Sequence, residues 1–245
     1  MGDPKRMRRT PITTLFMLMS LDGKINSGAG DELDPDRDWS TIDGVKEGLP
    51  HYYELEQNTD RYSLNTGRVM AKIGVNDRKK ARKKQNIRFI LIDRKPHLTE
   101  DGVEYLCKWL DQLFIVTNHK EHPAFQVRER YDNLELMVYD PEIDLEKMMI
   151  DLKESFGVER ITIQSGGTLN GELLRANLID YVSIVIAPLL VGGKDTNTLI
   201  DGTSITSVEE LNKLKAMNLV ECNQLGDSYV QLKYEVIKES YAKGD

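Results

Sequence analysis

Cysteine is scarce in this sequence: two in 245 residues, Cys107 and Cys222. They lie far apart and show no metal-ligand spacing, which excludes a disulfide-stapled scaffold and a cysteine-built zinc site and leaves reduced thiols as the expectation. Long apolar runs are missing too. No stretch approaches the ~20 residues needed to cross a bilayer. The run from Ile12 to Met19 follows a basic segment, Met1–Arg9, but passes directly into Ser20-Leu21-Asp22-Gly23 without a small-residue cleavage site. A signal peptide is therefore not expected, and a cytoplasmic location is the default. Positive charge is in deficit, with 33 Lys and Arg against 40 Asp and Glu and a net charge of −7. That argues against a dedicated nucleic-acid binder, although it does not exclude an anionic cofactor, which local donors hold. The G-x-G-x-x-G fingerprint, the P-loop lysine and the G-x-S-x-G nucleophile elbow are all absent, so three common routes to nucleotide binding and hydrolysis are set aside.

What is present is an ordinary globular composition, 40% hydrophobic and 30% charged, with no repeat and no low-complexity linker; one domain over 1–245 is expected, residues 1–10 forming a flexible tail. Short continuous apolar runs at Ile12–Met19, Ile87–Ile92, Leu113–Thr117, Leu134–Val138, Arg160–Ile163 and Tyr181–Ala187 predict strands covered on both faces. Between them, Leu145, Met148, Met149, Leu152 and Phe156 fall on one face of a helix predicted over 143–156, the methionine pair serving as core. Near the end, Val230, Leu232, Tyr234 and Val236 alternate with polar residues, as in a half-exposed antiparallel strand, and Ser207 with Glu210 offers a capping box for a short helix before it. The pattern predicts an α/β fold whose mixed, mostly parallel sheet has helices on both faces and a C-terminal antiparallel pair.

The most informative stretch is Arg160-Ile-Thr-Ile-Gln164-Ser165-Gly166-Gly167-Thr168-Leu169-Asn170-Gly171-Glu-Leu-Leu-Arg175. A strand runs through two glycines into a helix. Glycine lets a ligand approach the backbone, and a helix start presents free N–H groups and the positive end of its dipole, a seat for phosphate. The plainer alternative is a tight turn with Thr168 as N-cap.

Gly166-Gly-Thr-Leu-Asn-Gly-Glu-Leu-Leu-Arg-Ala-Asn-Leu-Ile-Asp180, followed by Tyr181–Ala187 and Pro188-Leu-Leu-Val-Gly-Gly193, resembles the reductase domain of the riboflavin-biosynthesis deaminase-reductases and their free-standing relatives. Phe16-Met-Leu-Met-Ser20-Leu-Asp22-Gly-Lys24-Ile25 resembles the first strand and loop of the same family. The resemblance spans roughly residues 12 to 236. It implies a dihydrofolate-reductase-like three-layer fold, NADPH as cofactor, no metal, a homodimer, and hydride transfer that opens the ribose of a 5-phosphoribosylamino-pyrimidine. On the cofactor side it implies Ser165, Gly166, Gly167, Thr168 and Leu169 around the phosphates, Thr66, Gly67 and Arg68 in a second turn, and Asp93 and Arg94 near the adenosine ribose and its 2′-phosphate. On the substrate side it implies Ser20, Asp22, Lys24, Trp39 (as a stacking platform) and Gln164. Asp22 and Lys24 are the candidates for the proton donor.

Two positions depart from the family pattern. Gln164 stands where a glutamate is usual, and Met70–Asp77 replaces an Asp-Asp-Pro motif followed by arginine. The zinc-deaminase signature H-x-E…P-C-x-x-C is absent, so at most the reductase half is expected. Another NADPH reductase of the same fold, acting on a pterin-like or carbonyl compound, fits the same residues. Arg78–Lys84, six basic residues in seven, would serve a non-enzymatic anion or nucleic-acid binder but is expected to be a solvated face. His119 and His122, spaced H-x-x-H near Glu121, are expected to form a loop rather than a metal site.

Overall fold

The computed structural model describes residues 8–80 and 83–238. Residues 1–7 of the expected tail, and Ala81 and Arg82 of the basic run, lie outside them. Arg8 and Arg9, at the start of the described chain, are tied to the body. The Arg8 guanidinium meets Asp180 and donates to the Pro11 carbonyl at 2.6 Å, and Arg9 reaches Glu154 at 2.8 Å.

The elements follow in chain order: β1 (Ile12–Ser20), α1 (Pro35–Asp38), α2 (Leu49–Glu56), β2 (Tyr62–Thr66), α3 (Gly67–Lys72), β3 (Gln85–Ile92), α4 (Glu100–Trp109), β4 (Leu110–Thr117), α5 (Ala124–Arg128), β5 (Leu134–Val138), α6 (Leu145–Phe156), β6 (Arg160–Ile163), α7 (Gly167–Arg175), β7 (Tyr181–Ala187), β8 (Met217–Gln224) and β9 (Val230–Val236). Among the described residues the strands form one nine-stranded sheet in the order β5-β4-β3-β2-β6-β1-β7-β9-β8. β1 to β7 are mutually parallel; β9 pairs antiparallel with β7 and with β8. After β1 the chain steps over to β2 and works outward to β5. It then returns to place β6 between β2 and β1, and β7 on the far side of β1. The order therefore reverses beside β1, and the carboxyl ends of β1, β2 and β6 meet at the position where open α/β sheets place their ligand crevice.

The helices start and stop where local chemistry directs. Asp144 caps α6 by accepting from the Lys147 N–H, and Gly157, at φ 66°, ends it in the left-handed conformation that glycine favours. Met148, Met149 and Leu152 on its inner face are fully buried, as the helical spacing predicts; each such side chain contributes on the order of 2 kcal/mol by leaving water. Thr99 caps α4 in the same way.

Side chains alternate across the sheet. Leu15, Leu64, Ile90, Phe114 and Ile163 face α6 and α7 on one side. On the other side the apolar residues divide into two clusters. Leu91, Leu113 and Ile115 pack under α4 and α5, while Phe16, Leu18 and Val185 pack under Trp39 and α2. The strands between those clusters, β2 and β6, turn Ser63, Asn65, Thr162 and Gln164 to this side, and Ser63, Asn65 and Thr162 are buried. A polar seam thus runs between two apolar patches, toward the crevice.

Several expectations are corrected. The strand Tyr62–Thr66 was hidden by its polar residues, so Thr66 closes a strand rather than opening the expected turn. The N-cap of α7 is Gly166, not Thr168. Residues Val208–Lys213 form a 3-10 turn in which the Glu210 carboxylate accepts from the Thr206 N–H and hydroxyl; Ser207 provides no side-chain cap. Cys107 is buried and Cys222 exposed, both free, and burial pushes the Cys107 thiol up to about 12. Among the described residues no helix is long and apolar enough to cross a membrane.

Candidate active site

The crevice has two flanks and a floor. On the first flank β6 runs through Gln164 and Ser165 into α7. The first intrahelical bond of α7 joins the Asn170 N–H to the Gly166 carbonyl, which leaves the N–H groups of Gly167, Thr168 and Leu169 ahead of it for an anion. The two glycines do different work. A Cβ on Gly167 would lie 2.2 Å from the Thr198 carbonyl oxygen and 2.4 Å from the Asp201 carboxylate, so this glycine lets the helix pack on the 198–201 segment. A Cβ on Gly166 would meet nothing within 4 Å, so that side of the turn is open. Ser165 is buried, its hydroxyl donating to Asn170 Oδ1 at 2.6 Å. Thr168 is exposed, and Leu169 belongs to the core. The backbone of this turn, together with Thr168, can therefore face a ligand; the Ser165 and Leu169 side chains hold the turn from inside.

Thr66 caps α3 by accepting from the Val69 N–H at 3.2 Å. Gly67 sits against the Asp93 carboxylate, 2.3 Å from a Cβ it does not have. Asp93 itself points inward. It is 1% exposed, and its carboxylate is hydrogen-bonded to His97 Nδ1 at 2.7 Å and His122 Nε2 at 3.1 Å and accepts the backbone N–H groups of His97 and Leu98. Burial alone would raise this carboxyl, but the hydrogen bonds outweigh it and hold the group below its ordinary value. Asp93 therefore braces the loop after β3, a role different from the ribose contact expected of it. His122 is bound on its other side as well, since Nδ1 accepts from the Ala124 N–H; this ring packs the loop. Arg94 makes a two-pronged pair with Glu172 of α7, at 2.6 and 3.1 Å. Arg68 is exposed and, among the described residues, meets the exposed Asp31 at 3.1 Å, a pair worth little in water.

On the second flank, Ser20, Asp22 and Lys24 form a clamp. The Ser20 hydroxyl donates to Asp22 at 2.5 Å and accepts from the Lys24 N–H at 2.9 Å. Asp22 also accepts from the N–H groups of Val191 and Gly192. Lys24 Nζ donates to the carbonyls of Gly193 and Thr196, both at 2.8 Å. The hydroxyl and the two N–H groups lower the Asp22 carboxyl to about 2, so it is ionised throughout the neutral range and cannot act as an acid there. This corrects its candidacy as proton donor. Trp39 is corrected as well: it is 1% exposed and packed in the cluster with Phe16 and Leu18. An indole with no free face supports the floor from behind and cannot stack on a ligand.

The floor contains residues that sequence reasoning missed. Gln164 Oε1 accepts from the Ser63 hydroxyl at 2.9 Å, and Nε2 donates to Glu56 Oε1 at 2.6 Å. Tyr52 stacks on Phe16 with ring centroids 5.2 Å apart and turns its hydroxyl toward Glu56 at 3.5 Å. Tyr53 donates to Asp36 at 3.1 Å. Burial raises the Glu56 carboxyl, and the charge of Asp36 adds to the rise while the Gln164 N–H opposes it. One signal was available: Leu49, Tyr52, Tyr53 and Glu56 share a face of α2, so a carboxylate occupies a position where the helical period calls for an apolar residue.

A parallel sheet with an antiparallel C-terminal pair, a crevice at its strand reversal and open backbone donors at its edge define a ligand-binding α/β domain. The sequence profile of the RibD C-terminal domain family matches residues 11–231, and the chain belongs to that family. It is 27% identical over 213 residues to the 2,5-diamino-6-ribosylamino-4(3H)-pyrimidinone 5′-phosphate reductase of Methanothermobacter thermautotrophicus, covering 84% of this chain and 90% of that one. Among solved structures, the riboflavin biosynthesis reductase Rib7 of Saccharomyces cerevisiae aligns with TM-score 0.59 at 17% identity, over 95% of this chain and 93% of that one. The diaminohydroxyphosphoribosylaminopyrimidine deaminase/5-amino-6-(5-phosphoribosylamino)uracil reductase of Thermotoga maritima aligns with TM-score 0.63 at 17% identity, over 94% of this chain. This chain spans 57% of the Thermotoga protein. The fold is thus the dihydrofolate-reductase-like one that the sequence resemblance implied.

Proposed function

We propose that the chain is an NADPH-dependent reductase of riboflavin biosynthesis, acting on the ribosyl group of a 5-phosphoribosylamino-pyrimidine, as the activity named for its Methanothermobacter relative suggests. The observation that carries this reading is one crevice combining an open glycine turn at the start of α7 with a polar floor at Gln164. The donor set suits a phosphorylated dinucleotide: unbonded N–H groups of Gly167, Thr168 and Leu169, the exposed Thr168 hydroxyl, and the Arg68 guanidinium held only by a surface pair. The nicotinamide, when bound, supplies the hydride. The residues of this chain position the two ligands and keep water from them. The α7 turn binds phosphate, Arg68 and Arg94 recognise the 2′-phosphate, and Arg94 exchanges Glu172 for it. The Ser20–Asp22–Lys24 clamp holds the 189–196 segment over the substrate side, and an ammonium with two of its three donors engaged keeps one N–H for the substrate.

The protein works in the cytoplasm as a single-domain homodimer. β8 supports the dimer reading, because this edge strand exposes Met217, Leu219 and Val220, and an uncovered apolar edge calls for a partner. The deciding experiment is titration with NADPH and with NADH, followed by nicotinamide emission, and then turnover of the ribosylaminopyrimidine phosphate followed by loss of nicotinamide absorbance. Saturable binding with NADPH preferred, and turnover, are expected. Binding of neither nucleotide would refute the reading.

A further inference from the structure

A hydride transfer to carbon leaves an electron pair that must take up a proton, and the carboxylates on the flanks of the crevice cannot deliver it. Asp22 is ionised throughout the neutral range. Asp93 is sealed from the crevice, 1% exposed. Lys24 spends two of its three donors on backbone carbonyls, which holds it in the clamp. Glu56, on the floor, is different. It is partly buried on α2, and groups from three elements act on it. Gln164, just past β6, donates to Oε1 at 2.6 Å. Tyr52, one turn earlier on α2, turns its hydroxyl toward the same oxygen at 3.5 Å. Asp36 of α1, hydrogen-bonded to Tyr53, brings a second negative charge. Among the described residues no lysine, arginine or histidine pairs with Glu56. Burial and the Asp36 charge therefore favour its neutral form, against the Gln164 and Tyr52 hydrogen bonds. Both of those bonds fall on Oε1, so the neutral acid carries its proton on Oε2, which has no partner among the described residues. Gln164 is fixed in turn, because its carbonyl end takes the Ser63 hydroxyl at 2.9 Å and its amide also meets Tyr52.

We propose that Glu56 is the general acid of the reduction, with Gln164 and Ser63 as the positioning residues that hold it. The inference rests on the reductase reading above. A ribosylamine in its ring-opened form is an imine, with a C1′=N double bond. C1′ gains the hydride from the reduced nicotinamide, and the π pair of C1′=N moves onto nitrogen. The Oε2–H bond of Glu56 breaks as that nitrogen takes the proton. An amine, the oxidised nicotinamide and the Glu56 carboxylate remain, so charge and electrons balance. The new carboxylate lies near Asp36, whose repulsion drives it to recover a proton from water before the next turnover. Gln164 and Ser63 leave Oε1 bound and Oε2 free, which sets the oxygen that donates.

The test uses the full chain and two readouts. The first is kcat against pH with NADPH and the ribosylaminopyrimidine phosphate. The second is a carbon-13 NMR titration of the glutamate carboxyls with no ligand present. In the wild type the Glu56 signal, assigned by its loss in Glu56→Gln, is expected to titrate above the ordinary 4.5, and kcat to fall as pH rises through that titration. Glu56→Gln should lower kcat by about 10²–10⁴-fold and remove that fall, with NADPH affinity unchanged. Glu56→Asp, still an acid, should keep the fall and lose less. Gln164→Leu removes the hydrogen bond that most opposes the rise, so the titration and the fall in kcat should both move to higher pH; this variant carries the test if the Glu56 variants do not fold. A Glu56 carboxyl that titrates at or below 4.5, a Glu56→Gln enzyme with kcat and pH dependence unchanged, or a Gln164→Leu enzyme whose titration and pH dependence stay in place overturns the role of Glu56 and leaves the reductase reading standing. A wild type that binds NADPH but does not turn over the substrate refutes that reading, and this inference with it.

Discussion

The two flanks of the crevice treat their polar groups in opposite ways. At the start of α7 the donors are backbone N–H groups with no partner among the described residues, and Gly166 leaves open space in front of them. At the end of β1 nearly every polar atom is occupied: Ser20, Asp22 and Lys24 bond to one another and to four backbone groups of the 191–196 segment. The first flank is organised for a partner that comes from outside, and the second has largely found its partner inside the chain. Matching a family motif therefore says where a residue lies, whereas its hydrogen-bond partners say what it is free to do. Side chains already bonded should affect stability when changed, and free groups should affect ligand binding alone.

The sharpest effects belong to the occupied side. Trp39 is packed against Phe16 and Leu18 behind the floor, so Trp39→Ala should cost about 3–5 kcal/mol through the cavity left behind, measured by denaturant unfolding. Trp39→Phe should retain substrate KM within a few-fold, and a collapse of substrate binding in this folded variant would restore the indole as a ligand platform. Next come the two adjacent glycines. Gly167→Ala drives a Cβ into the Thr198 carbonyl and should destabilise by roughly 1–3 kcal/mol. Gly166→Ala meets nothing in the protein, and at φ −71° alanine is unstrained. It should leave the melting temperature unchanged and weaken NADPH binding. Equal effects of the two on stability would erase the distinction between packing glycine and ligand glycine.

Much of the frame was legible in the sequence because burial on both faces writes itself as continuous apolar runs. β1, β4, β7 and the inner face of α6 follow from pattern alone. β2 was not legible, since Ser63 and Asn65 point into the polar seam and break the apolar signal over a five-residue strand. The glycine turn was located correctly from strand, glycine pair and helix. Which glycine packs and which stays open depends on the 198–201 segment, about thirty residues further along the chain. Asp93 and Trp39 were singled out by position and proved to be internal supports, because their partners, His122 and the Phe16 cluster, are brought to them only by the fold. Glu56 was missed because its meaning lies in Gln164, a neighbour across 108 residues of sequence.

A subtler prediction concerns pH. The folded Asp22 carboxyl sits at about 2 against an ordinary 3.8. A group whose pKa is depressed on folding adds stability above its unfolded value and loses that contribution as pH falls from about 3.8 toward 2. Asp22→Asn should therefore flatten the acid limb of the stability curve in that window. It should add no new limb to the pH dependence of kcat in the neutral range, because the native carboxylate does not titrate there. A lost neutral-range limb in kcat would return Asp22 to the role of proton donor.

The smallest effect on stability should come from the group with the least to lose. Arg68 meets Asp31 at 3.1 Å with both side chains exposed, and such pairs contribute about 0–1 kcal/mol. Arg68→Ala should leave unfolding within about 0.5 kcal/mol of wild type. If the guanidinium is free because it waits for phosphate, the same change should weaken NADPH more than NADH, since only the first carries the additional dianionic group that an arginine fork engages. Arg94→Ala provides the contrast across the same crevice: it releases Glu172 on α7 and should disturb both nucleotides through the turn that follows Gly166. Equal loss of both nucleotides in Arg68→Ala would mean that this side chain steers anions in general, and the 2′-phosphate contact would pass to Arg94 alone.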